Sequence, residues 1–288
     1  MPVQWLRVVE LGLLAKMSER GDEPSSVACW VEDNDEWPSR QGSRPPDIAG
    51  RAQGLLAFRT REMESVQNPT SNSAILEIRG LRTVFQLDGH RELTAVDGVD
   101  IDLGRSEVLG LVGESGSGKS VLALSVLGLI DPPGRIVNGE VIFNGTDLLQ
   151  LSEAERRRHR GSGIGMIFQN PVASLNPVRR IGDQLSSVLR LHGSKDPKRE
   201  ALRWLEEVSI ADPSRVAAAY PHELSGGMCQ RAMIALALSC RPQVLIADEP
   251  TASLDVTIQA QLMALLRDLQ ARFEMSILFI SHDLGAVA

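Results

Sequence analysis

The chain has 288 residues, 43% of them hydrophobic, enough to bury one sizeable core and a smaller appended segment. A formal net charge of -7 argues against a dedicated nucleic-acid binder, which carries a concentrated basic surface. Three cysteines, Cys29, Cys229 and Cys240, stand without CxxC spacing, which points away from a disulfide framework or zinc site and fits a reducing cytoplasm.

In chain order, residues 1 to 16 read MPVQWLRVVELGLLAK, where Glu10 interrupts the apolar run and no small-residue cleavage site follows. A signal peptide is therefore not expected. From Gly21 to Ser73 the chain is rich in Pro, Ser, Asp, Glu and Arg without sustained periodicity, so residues 1–73 are expected to be a poorly ordered extension. Order is expected from Ala74, with short strands at ILEIRGL and VDGVDIDL separated by the turn-forming DGHREL. Further strands are predicted at VLGLVG, GEVIF, IGMIF, VLIAD and SILFIS, and helices at about 178–192, 197–208, 225–240 and 256–273. Strands alternating with helices imply a mostly parallel sheet covered on both faces. The most apolar runs, VLALSVLGLI from Val121 and MIALALSC from Met233, are shorter than the roughly 20 residues of a membrane-spanning helix.

Gly113, Glu114, Ser115, Gly116, Ser117, Gly118, Lys119 and Ser120 fit GxxxxGK[ST], with Val121 next, between a predicted strand and a predicted helix. The glycines let backbone N–H groups point at phosphate oxygens, with the positive end of the helix behind them. Lys119 is then placed to neutralise the β- and γ-phosphates and Ser120 to ligate Mg²⁺. A glycine turn that merely joins strand to helix has no need of a lysine at its tip. VLIADEP ends a buried strand on two acids: Asp248 is suited to hold Mg²⁺ through water, and Glu249 to polarise the attacking water. A helix cap explains one of these acids but not both.

The segment LSGGMCQR, Leu224 to Arg231, resembles the signature of ABC ATPases. Ser225, Gly226 and Gly227 make a second anion-binding helix start, and with Leu224 and Met228 they are expected to face the ATP of a partner subunit, since the first loop occupies this subunit's own phosphates. The resemblance extends over about residues 75–288. It implies that Phe85 stacks on adenine, that Gln169 senses the γ-phosphate and Mg²⁺, that His282 contacts the γ-phosphate, and that Ser253, Leu254 and Asp255 cross the dimer interface. The implied fold is an α/β P-loop NTPase of ABC type: a mostly parallel sheet, an antiparallel portion and an inserted helical subdomain at about 170–240 within a nucleotide-binding domain spanning 74–288.

FQNPVASLNPVRRIGDQL, YPHELSGGM and IADEPTASLDVTIQAQ resemble the peptide and nickel importer branch of that family. The resemblance implies an ATPase subunit for dipeptide or oligopeptide import, with nickel or another small solute as the alternative. It also implies a second ATPase subunit, two membrane permeases, an indirect extracytoplasmic solute-binding protein, and a peripheral place at the cytoplasmic face of the membrane. A soluble, non-transport ABC ATPase and an inactive remnant are the readings from other classes. Three departures stand out. Cys229 replaces a basic residue, which is expected to remove positive charge beside the partner's phosphate. Residues 1–70 have no recognised counterpart. The family pattern continues past the equivalent of Ala288, so the C-terminal end of the domain is expected to be incomplete. The run Arg156 to Arg160 in SEAERRRHRG reads as a solvated helix end rather than a nucleic-acid patch.

Overall fold

The structure is a computed structural model and describes residues 7–10, 30–32, 74–87, 91–252 and 254–282. Two short strands, β1 (Arg7–Glu10) and β2 (Trp30–Glu32), come from the stretch expected to be poorly ordered. The long strands β3 (Ala74–Gln86) and β4 (Glu92–Gly104) then pair antiparallel. Each runs 13 residues, longer than its apolar pattern predicts. Left-handed glycines at Gly80 and Gly98 coincide with breaks in the pairing register, so the ladder continues through bulges. Of the turn expected between these strands, residues 88–90 lie outside the described residues.

β5 (Val108–Val112) leads through the glycine loop into α1 (Lys119–Val126). β6 (Gly134–Phe143) and the short β7 (Thr146–Asp147) complete a four-stranded antiparallel sheet in the order β4-β3-β6-β7. After α2 (Glu153–His159) and β8 (Ile164–Ile167), the chain is helical until β9: α3 (Pro171–Ser174), α4 (Ile181–Leu191), α5 (Pro197–Glu207), α6 (Pro213–Ala218) and α7 (Gly226–Leu238). Four of these starts are set locally: Asn170, Asp196, Asp212 and Ser225 accept hydrogen bonds from their own helices' first-turn N–H groups, and proline opens α3, α5 and α6, while α4 starts at Arg180 without a side-chain cap. β9 (Val244–Asp248), α8 (Val256–Phe273) and β10 (Ser276–Ser281) follow.

The second sheet has the order β2-β1-β5-β10-β9-β8, parallel throughout except for the β1–β2 pair. Its central strands are buried on both faces, which explains their unbroken apolar runs. Alternation divides them between two cores. Val108, Leu245, Ala247, Ile277 and Phe279 join the helices that follow β8, including Leu205 and Met233. Leu109, Leu111, Val244, Ile246, Leu278 and Ile280 pack on the other side with α1 and the antiparallel sheet. A buried hydrogen bond of 2.8 Å between the Thr83 and Ser125 hydroxyls ties α1 to β3. The arginine run is partly structural: Arg160 pairs with Glu153 and donates to the Leu127 and Gly128 carbonyls just past α1.

Ile246 sits fully buried at the centre of β9, flanked by Leu278 and Met166. Ile246→Ala is expected to lower unfolding stability by about 2–5 kcal/mol through lost burial and a residual cavity. Urea denaturation followed by circular dichroism measures it, and a change below about 1 kcal/mol would show that the site collapses freely.

Candidate active site

Parallel register decides what meets at one edge of the sheet. Ser281 pairs with Val112 and Ile280 with Asp248, so the carboxyl ends of β5, β9 and β10 finish side by side. Gly113, Glu249 and His282 follow directly from those ends, and Gln169 comes from the segment after β8.

The loop between β5 and α1 has left-handed backbone at Gly116 (φ 85°) and Gly118 (φ 92°). A Cβ at Gly118 would overlap the carbonyl oxygen of Ala95 on β4, so this position requires glycine for both its conformation and its close approach. Gly118 is the N-cap of α1 and supplies no side-chain cap, which leaves the first-turn N–H groups facing the loop. Lys119 is only 5% exposed; its Nζ donates to the Gly113 and Glu114 carbonyls at 2.7 Å and to Ser117 Oγ at 3.3 Å. Burial lowers its pKa from the ordinary lysine value, against the opposing pull of the Glu249 and Asp248 carboxylates.

Asp248 is 4% exposed. Burial raises its pKa, opposed by a hydrogen bond from the Ser120 side chain, raised further by the Glu249 charge and lowered by Lys119. Its Oδ1 is buried without a hydrogen-bond partner. A buried carboxylate oxygen left unsatisfied beside a serine hydroxyl is a hard-oxygen set that fits a small divalent cation.

Glu249 has left-handed backbone (φ 46°), an uncommon and strained conformation for a side-chain-bearing residue. Its N–H donates to the Ile280 carbonyl at 3.0 Å. One carboxylate oxygen accepts from Gln169 Nε2 at 2.8 Å, and the other lies 3.0 Å from His282 Nδ1. Lys119, Ser120, Asp248, Glu249, Gln169 and His282 thus form one cluster, although they come from four separate stretches of chain. Phe85 stands apart from that cluster on β3, half-buried and paired with Leu93, two residues along β4 from the Ala95 that abuts Gly118.

Ser225 caps α7, accepting from Met228 N at 3.4 Å. Gly226 is exposed and Gly227 half-buried at the first turn of the helix. A Cβ on Gly226 would meet nothing within 4 Å, and one on Gly227 only ordinary contact with Ile258. Leu224 packs against the helical core, as does Leu254, and Asp255 caps α8; Ser253 lies outside the described residues. The expectation for Cys229 needs correction. Its side chain is 1% exposed, turned inward, and its Sγ donates to the Pro221 carbonyl at 3.3 Å. Burial raises the thiol pKa, so it stays neutral as part of the core instead of presenting a surface beside a partner's phosphate. The contact of Ala95 with the loop also escapes sequence reading, because nothing in β4 marks it as a wall for a loop more than 15 residues downstream.

The raised pKa of Asp248 has a definite sign. A folded-state pKa above the unfolded value stabilises the folded protein below the ordinary carboxylate range, and that stabilisation is lost as pH rises through the folded pKa. Without nucleotide or divalent cation, Asp248→Asn is therefore expected to raise the melting temperature at neutral pH, with the difference shrinking on acidification. Melting curves across pH test this; a lower melting temperature for the variant at neutral pH would contradict it.

Comparison with known proteins agrees with this geometry. The ABC transporter family profile matches residues 96–252, more than half of the chain. A probable peptide ABC transporter ATP-binding protein, y4tR of Sinorhizobium fredii, is 49% identical over 231 residues, 78% of this chain and 68% of its own length. The dipeptide transport ATP-binding protein DppD of Escherichia coli is 48% identical over 218 residues, 75% of this chain and 66% of its own length. The chain thus spans about two thirds of the length of these relatives. Among solved structures, the dimeric bacterial ABC transporter cassette MJ0796 superposes with a TM-score of 0.66 at 25% identity, covering 74% of this chain and 90% of that one. The chain belongs to the ABC transporter family, as an ATP-binding and ATP-hydrolysing cassette.

Proposed function

We propose that this cassette powers an importer of dipeptides or oligopeptides, as one of two ATPase subunits beneath two permease subunits at the cytoplasmic face of the membrane, with a solute-binding protein outside. The observation that carries the ATPase reading is the single cluster of Lys119, Ser120, Asp248, Glu249, Gln169 and His282 beyond the ends of four adjacent parallel strands, β5, β10, β9 and β8. The peptide reading rests on relatives named as peptide and dipeptide transport ATP-binding proteins. Among the described residues no helix is long and apolar enough to cross a membrane, so attachment through permeases accounts for the location. Residues 74–288 make up the nucleotide-binding domain, the helices at about 170–240 its subdomain, and residues 1–73 an extension that adds β1 and β2 to the parallel sheet.

In this reading the N–H groups of Gly113 to Val121 cradle the ATP phosphates. Lys119 leaves the Gly113 and Glu114 carbonyls for the β- and γ-phosphates, exchanging neutral acceptors for charged ones. Ser120, Gln169 and Asp248 hold Mg²⁺, which neutralises charge on the transferred phosphoryl group. Glu249 orients and polarises the attacking water, and His282 contacts the γ-phosphate. Phe85 stacks on the adenine ring. Leu224 to Met228 face the ATP of the second subunit, and the Ser253-Leu254-Asp255 loop crosses between subunits. Gly226 fits the trans arrangement: this chain's own packing leaves open space where a side chain would stand, so a phosphate approaching from outside would meet bare backbone there.

Glu249→Gln is expected to retain ATP binding while steady-state phosphate release falls by about 10²-fold or more. Fluorescent-nucleotide titration alongside a phosphate-release assay checks this; equal turnover in variant and parent would remove Glu249 from the chemistry. Gly226→Ala is expected to leave the chain's own stability unchanged or up to about 1 kcal/mol higher, since alanine loses less backbone entropy in a helix, while ATP turnover drops. Thermal melts and turnover measured together test it, and unchanged turnover would argue against a trans phosphate contact. For the substrate, uptake of labelled dipeptide in cells lacking and re-expressing the gene is the direct assay.

A further inference from the structure

At the end of the parallel sheet away from the phosphate loop, where α7 and α8 finish ahead of β9 and β10, a cleft of about 820 Å³ opens between those helix ends and α4 and α5. That size suits a small ligand. Its charges do not satisfy one another. Arg203 of α5 and Arg241 after α7 make no ion pair among the described residues, and neither do Glu200 and Glu206 of α5. Glu207 is the acid of this lining that is paired, with Arg272 at 2.6 Å. The Ser194 hydroxyl, also in the lining, is buried without a hydrogen-bond partner, which calls for an explanation. Arg241 has left-handed backbone (φ 51°), a conformation that glycine adopts without strain and arginine does not. Trp204 and Phe273, with ring centroids 5.6 Å apart, give the cleft an apolar wall.

We propose that this cleft binds a short zwitterionic peptide with apolar side chains. Two guanidinium groups and two carboxylates share the cleft without closing on each other, so a molecule that carries both an ammonium and a carboxylate can engage both sets at once. A simple anion or cation would leave one set facing its own charge. The planar forks of Arg203 and Arg241 match a terminal carboxylate, and Glu200 and Glu206 accept from a terminal ammonium. The Ser194 hydroxyl can donate to or accept from the peptide unit, and Trp204 and Phe273 receive an apolar side chain. The volume favours a peptide over a single amino acid. The proposal rests on the reading of the chain as a peptide importer's ATPase, which brings such peptides to the side of the membrane where the cassette stands. The cleft is separate from the nucleotide cluster: Arg241 and Phe273 precede the amino ends of β9 and β10, whereas Asp248 and His282 stand at their carboxyl ends. Peptide and nucleotide thus bind at opposite ends of the same strands.

Titration calorimetry on the full chain tests this, with leucyl-leucine, its N-acetylated form, its C-amidated form and free leucine as probes. Leucyl-leucine is expected to bind with a Kd below about 1 mM, and each of the other three at least about tenfold more weakly. Arg241→Gly removes a guanidinium and relieves the left-handed backbone, so the melting temperature is expected to hold or rise while affinity for leucyl-leucine falls about tenfold. Glu200→Gln is expected to lose affinity to a similar degree at an unchanged melting temperature. The proposal is overturned by no binding at about 10 mM leucyl-leucine, by any of the other probes binding within about threefold of it, or by both variants staying within about threefold of the parent. Dipeptide uptake in cells separates this result from the importer reading. A chain that restores uptake but binds no leucyl-leucine overturns the cleft alone, and one that binds it as expected but restores no uptake overturns the importer reading while upholding the cleft.

Discussion

The site depends on the register of three parallel strands. Ser281 opposite Val112 and Ile280 opposite Asp248 bring the ends of β5, β10 and β9 to one line, so that a lysine, two carboxylates and a histidine from distant positions share one small volume. A shift of one residue in either pairing would exchange the two faces of a strand, turning Leu278 and Ile280 into the core that holds Ile277 and Phe279. Because both faces are buried, the alternation of large apolar side chains opposes that shift at every position along the strand. Packing far from the phosphate loop therefore maintains the geometry of the loop.

The site carries its charges in a compromise. Lys119 is folded back on carbonyls of its own loop, Asp248 has an oxygen without a partner, and Glu249 is held in left-handed backbone that costs on the order of 1–3 kcal/mol. On the proposed function one ligand would relieve or use all three: phosphates would replace the carbonyls around Lys119, a divalent cation would meet Asp248, and the strained turn would hold Glu249 beside them. The pKa directions agree, since burial disfavours the charged form of both Lys119 and Asp248. A triphosphate with its metal supplies the opposite charges together, which ties recognition of one to recognition of the other.

The helical segment between β8 and β9 has a different logic. Its helices other than α4 start at residues whose side chains cap their own first turns, and its inner faces, from Ile181 and Leu185 to Trp204 and Leu205, close one core over the sheet. Two features of it connect to the site: Gln169 at its entry, bonded to Glu249, and α7 at its exit, bonded through Gln230 to Pro250. Both ends of the segment therefore contact Glu249 or its neighbour, so a movement of the helices as a body would reach Glu249 from two sides.

Much of this was legible in the residues alone. The phosphate loop, the two acids after VLIA and the LSGG helix start are local patterns in which chemistry and backbone conformation are specified by a few adjacent residues, so spacing is sufficient to find them. Alternation and apolar runs likewise marked four strands of the parallel sheet, β5, β8, β9 and β10, and the four longest helices, because burial on both faces or on one stripe leaves a periodic trace. What spacing cannot encode is which distant groups meet. The bulged extension of β3 and β4, the strands Arg7–Glu10 and Trp30–Glu32 at the sheet edge, the Ala95 wall against Gly118, the inward turn of Cys229 and the Gln230–Pro250 bond all arise from long-range pairing and packing. The sequence by itself determined the candidate site groups and the elements that carry them, through interactions within a few residues. Only the tertiary structure decided their relative positions, because those follow from strand register and two-sided burial summed over the whole core.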